Sequence, residues 1–255
     1  FAGVYMTGIL PIKKYNTESA LNNFIEYSVT SPMNMARYFG FTRSEVKKLC
    51  ENKNCDFSEV QKWYDGYKIG NEPSIFNPNS VIMALSAGYC RSFWASTGAY
   101  DKVAGYIDMN FEGLKDDIIY MLSGGKCEVE TKGFGNDMSI VRTKDEVLTV
   151  LIHLGYLAYD FDEEECYIPN YEVRLEMETA IKSSGWQVAQ AITGSKKLLN
   201  ATLAGDAEAV AQAIDKAHDE NTSILSYNNE NSLACVLTIA YIYAQNDYIV
   251  HRELA

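Results

Sequence analysis

Three histidines, His153, His218 and His251, are the side chains best suited to move protons near neutral pH, but they lie far apart with no serine or cysteine elbow beside them. A nucleophile and its base must share a hydrogen bond, so this spacing gives covalent catalysis no support. Gly125-Lys126-Cys127 and Gly194-Ser195-Lys196 lack the spacing and context of a loop that cradles phosphates in backbone N–H groups. Six cysteines, Cys50, Cys55, Cys90, Cys127, Cys166 and Cys235, contain no CxxC pair, and Cys50 with Cys55 has no second cluster to complete a zinc site. Reduced thiols in a cytoplasm are expected. The densest aromatic run, Trp63-Tyr64-Asp65-Gly66-Tyr67, reads as a core anchor at a helix end closed by Gly66.

These residues depend on elements that the spacing of caps and apolar positions predicts. Thr42 with Glu45 makes a capping box for a helix through Leu49, Asp56 with Glu59 another, and Asn77-Pro78 a cap with proline at the first helical position. Apolar spacing predicts a helix over Glu18 to Tyr27 as well, and residues 29–125 read as mainly helical. Thr143 with Glu146 opens a helix to Leu154 that Gly155 terminates. Short strands Tyr156–Phe161 and Cys166–Pro169 follow, then a helix from Tyr171 to Lys182, an order like that of a winged helix. From Trp186 the spacing is helical, with Asp206 as a cap and Leu233 to Ala244 as a very apolar helix.

The net charge of -12 opposes generic binding to nucleic acid, and only residues 1–50, with six bases and three acids, carry excess positive charge. Asp160, Asp162, Glu163, Glu164 and Glu165 sit at the tip where a DNA-reading wing would meet phosphate, so the wing reads as a packing element. No run of about eighteen uncharged apolar residues suits a membrane, and a soluble cytoplasmic chain is expected. Phe1 to Leu10 reads as a buried strand and Tyr248 to Leu254 as the start of another, each without a partner. An interior piece of a longer protein is the expectation.

Several strings in order resemble one family. Tyr5-Met6-Thr7-Gly8-Ile9-Leu10-Pro11-Ile12-Lys13-Lys14, Gly40-Phe41-Thr42, Trp63-Tyr64-Asp65-Gly66-Tyr67, Asn77-Pro78, His153-Leu154-Gly155-Tyr156-Leu157 and Ile168-Pro169-Asn170 are similar to the bacterial AAA-ATPase-like proteins that carry a C-terminal PD-(D/E)XK nuclease-like domain. The resemblance implies a mainly α fold with minor β. Residues 1–28 would end a P-loop ATPase core, 29–140 form a helical lid and 141–185 a winged-helix-like subdomain. Residues 186–255 would form a helical linker into a truncated nuclease-like α/β domain.

By the same resemblance, Thr7 would stand at the carboxyl end of a core strand as a sensor of the γ-phosphate, with the Walker A and B motifs upstream. Glu230, opening the apolar helix, would be the first metal-binding carboxylate of the nuclease and Glu253 a second acidic position, with the remaining aspartate and Glu-x-Lys downstream. ATP and Mg²⁺ are thus implied for the intact protein, nucleic acid only through it, and no cleavage is expected of these residues alone. The alternative is a protein-interaction or self-association module of a catalytically decayed relative.

Overall fold

Side-chain caps set where several helices of this chain begin. The structure, a computed structural model, describes residues 24–94, 111–132, 141–183, 188–221 and 230–248, with residues 3, 5–8, 105 and 134 besides. Glu45 Oε2 accepts from Thr42 N–H at 2.8 Å and from Thr42 Oγ1 at 2.6 Å, opening α1, Arg43–Lys53. Asp56 Oδ1 accepts from Ser58 N–H ahead of α2, Phe57–Tyr64. Asn77 Oδ1 accepts from the N–H groups of Asn79 and Ser80, and Pro78 leads α3, Pro78–Ala87.

Between α2 and α3 the chain departs from the mainly helical expectation. β2, Tyr67–Ile69, and β3, Glu72–Phe76, form a hairpin around Gly70-Asn71, and β1, Phe41–Thr42, adds to the far edge of β3. Pro73 is tolerated there because the part of β3 that pairs with β1 is Ile75 and Phe76, beyond the residue that lacks an N–H. Beneath this sheet Val46, Val60, Tyr64, Phe76, Val81 and Phe93 make the first core.

The second core belongs to α4, Leu114–Leu122, β4, Cys127–Glu128, α5, Lys144–His153, β5, Ala158–Asp160, β6, Glu165–Tyr167, and α6, Tyr171–Ser183. All strands are antiparallel, with β6 between β4 and β5. Leu114, Ile118, Leu122, Val147, Leu151 and Met177 are buried together in one core that draws on residues before and after 140/141. Phe93 lies in the first core and Trp94 packs on the second.

Helices α7, Val188–Ala204, α8, Ala207–Asn221, and α9, Glu230–Ala240, end in a 3-10 turn, Ile242–Asn246. Ile192, Ile239 and Ile242 join the second core, which ties this segment to the helices before it. Leu198, Ala217, Val236 and Ala240 form a smaller cluster among α7, α8 and α9. The described residues are mainly α with two small antiparallel sheets, and no helix among them is long and apolar enough to cross a membrane.

The strand expected at Phe1–Leu10 is not seen in its described part. Tyr5 to Gly8 carry no regular structure and are exposed, Tyr5 at 87%. Phe24 to Tyr27 are likewise not helical; the rest of the helix expected over Glu18–Tyr27 lies outside the described residues, as does the terminal strand beyond Tyr248.

Candidate functional site

Alternation along β2 turns Tyr67 toward the second lobe, where its hydroxyl donates to the carbonyl of Gly155 at 2.7 Å. Gly155 ends the α5 turn at φ +82, and a β-carbon there would come within 3.1 Å of the Trp94 ring. Trp94 in turn meets Tyr156 edge to face at 5.3 Å. Between hairpin β2–β3, Trp94 and the end of α5 these contacts leave a cleft of about 210 Å3, walled by Phe39, Tyr67, Trp94 and Tyr159.

Besides the aromatic walls, Lys68, Asn77 and His153 are among the described residues lining the cleft. Lys68 Nζ donates to Asp160 Oδ1 at 2.6 Å and Asp162 Oδ2 at 2.7 Å, bonds that raise the lysine pKa and hold the Asp160 carboxyl below its usual range. His153 stacks on Phe134, ring centroids 5.9 Å apart. Burial pushes its pKa down to about 4 against the weaker opposing pull of Glu26, so at neutral pH it is an uncharged imidazole. No serine, threonine, cysteine or carboxylate is among the described residues lining the cleft.

Beside the cleft, the strings Trp63–Tyr67, His153–Leu157 and Ile168–Asn170 meet. Gly66, at φ +113, lies against the Pro169 backbone, and Tyr167 Oη donates to the Gly66 carbonyl at 3.1 Å. Asp65 Oδ1 accepts from Gly66 N–H and Ser74 Oγ, both at 2.7 Å, and Trp63 meets Tyr171 edge to face at 4.5 Å. The aromatic run is therefore a joint between the lobes as well as a core anchor. The acidic tip is tied down too: Lys126 lies 3.5 Å from Glu165, and Lys132 lies 3.1 Å from Glu164.

The site residues expected from sequence fall only partly within the described residues. Thr7 is exposed in an irregular stretch, Glu230 begins α9 but its side chain lies outside the described residues, and Glu253 lies outside them altogether. Among the described residues no group of histidines, cysteines and carboxylates is arranged to hold a metal. Burial pushes the Cys127 thiol up to about 12 and Cys166 higher still, which removes the thiolate that a nucleophile needs. Tyr67 stands in the aromatic run and Lys68 just after it, and the signal in the sequence that places both on a strand is Gly70-Asn71, a two-residue hairpin turn flanked by Ile69 and Glu72. Comparison of the chain with protein-family models, curated proteins and solved structures found no match.

Proposed function

We propose that this chain is the lid and winged-helix-like part of an AAA-ATPase-like protein with a PD-(D/E)XK nuclease-like domain, and that its own role is mechanical. The observation that carries the reading is the convergence of three strings, Trp63–Tyr67, His153–Leu157 and Ile168–Asn170, on one joint between the lobes. A joint fixed by contacts between residues far apart in the chain would carry motion from one lobe to the other, and nucleotide turnover elsewhere in the protein would supply it.

The order α4, β4, α5, β5, β6, with β4 beside β6, supports a winged-helix-like unit that starts near Phe111, ahead of residue 141. In such a unit α5 would be the helix offered to DNA, but Val147 through Ile152 are all buried, and lysines neutralise part of the wing tip. These features favour packing over nucleic-acid reading by this unit. ATP and Mg²⁺ would act through motifs that these residues do not contain.

The test is to assay ATP turnover and Mg²⁺-dependent DNA cleavage in the protein carrying the flanking sequence. Turnover that falls when Tyr67 is replaced by phenylalanine supports the mechanical role. A protein inert in both assays leaves the interaction-module reading in its place.

A further inference from the structure

Helix α6 turns two acids toward the first lobe. Glu172, fully buried, accepts from the backbone N–H of Phe93 through Oε1 at 2.7 Å, and Glu176 Oε1 accepts from Ser92 Oγ at 2.5 Å. Among the described residues the other carboxyl oxygen, Glu172 Oε2, has no partner in hydrogen-bonding geometry, and neither does Ser80 Oγ of α3, also fully buried and close enough to act on this carboxyl. Two polar atoms left unpaired side by side in an interior call for a physical explanation.

Charge decides which explanation holds. Facing Glu172 are Glu176 from the next turn of α6, Tyr64 of α2, Tyr67 of β2, Ser80 of α3, and the backbone N–H groups of Phe93 and Trp94. None is a cation. Arg91, the nearest base along the 91–94 connection, is turned onto the rings of Tyr89 and Phe93. A carboxylate here would be an uncompensated buried charge beside a second acid. Burial is the largest influence on this carboxyl and raises its pKa against the pull of its donors.

We propose that Glu172 is a neutral carboxylic acid in the folded protein, donating its Oε2 proton to Ser80 Oγ, and that this proton latches α3 and the 91–94 connection to α6. That bond gives each of the two unpaired atoms a partner. Trp94, next to the latched Phe93, walls the cleft, so the latch also fixes that wall. The inference is independent of the proposed function. In sign, the folded state keeps a proton that the unfolded chain has lost, so stability falls as pH rises from the ordinary glutamate range to the folded pKa and is level above it.

The test is urea unfolding of the wild type and Glu172→Gln from about pH 4 to about pH 8, taken as the difference between the two so that other titrations cancel. The amide mimics the neutral acid. Expected is a difference that moves against the wild type with rising pH, by about tenfold in the folding constant per pH unit within the window. A difference flat with pH, or a variant less stable throughout, overturns the proposal. Infrared spectroscopy of the wild type supplies a readout that needs no variant to fold. A buried protonated-carboxyl band that disappears as pH rises supports the latch, and its absence at every pH sinks it.

Discussion

Gly66 is pressed against Pro169 so closely that a β-carbon on the glycine would stand 1.9 Å from the proline carbonyl oxygen. Its φ of +113 would strain any L side chain even without that contact. Gly66→Ala is therefore expected to lower stability by about 3 kcal/mol or more, since backbone and backbone must part. Equilibrium unfolding in urea measures this. A loss under about 1 kcal/mol would mean that the lobes separate there freely.

Lys68 spans the lobes from β2 to the acidic tip after β5. Its bond is the first cause of the lowered Asp160 pKa, so this part of the stability is present above the ordinary aspartate range and is lost as pH falls through the folded value. Lys68→Ala should leave a protein less stable at neutral pH, with a flatter stability profile on the acid side. Acid titration followed by circular dichroism reads both, and parallel profiles for the two proteins would show that the pair contributes nothing.

Much of this architecture was legible in single residues. Thr42, Asp56, Asn77 and Thr143 announce their helices because a cap is a local bond between neighbours in sequence. Gly155 reads as a helix end for the same reason. The joint was not legible, because the contact of Gly66 with Pro169 and the bond from Tyr67 to Gly155 join residues far apart in the chain. The hairpin between α2 and α3 was hidden by Pro73, which reads against a strand until its place beyond the β1 pairing is known. The buried acids of α6 are not legible either: Glu172 and Glu178 look like solvated helix positions, and only packing removes them from water.

His153 gives a second pH dependence, of opposite sign to that of Glu172. Its folded pKa of about 4 lies below that of an unfolded histidine, so the unfolded chain takes up the proton first. Stability is full at neutral pH and falls as pH drops from about 6.5 toward the folded value, by at most about 3 kcal/mol. Replacing His153 by glutamine should remove that slope. NMR titration of the imidazole provides the direct check, and a pKa near 6.5 would place the ring in water instead of the cleft.

Arg174 and Glu178 are both buried on α6, 3.6 Å apart, and burial disfavours each charge. The guanidinium also donates to Gln245 and to Asn246 Oδ1, and lies 4.7 Å from the centre of the Tyr171 ring, which binds α6 to the 3-10 turn after α9. Removing it leaves Glu178 with Lys182, at 3.8 Å, as its remaining ion-pair partner among the described residues. Arg174→Ala should therefore cost about 3 kcal/mol, most of it the penalty of a carboxylate left buried. Two consequences distinguish that cause from lost packing. Adding Glu178→Gln should restore part of the stability, and the deficit of the single variant should shrink as pH falls and Glu178 takes up a proton. A double variant no more stable than Arg174→Ala, with a deficit constant in pH, would assign the loss to the missing contacts of the arginine stem.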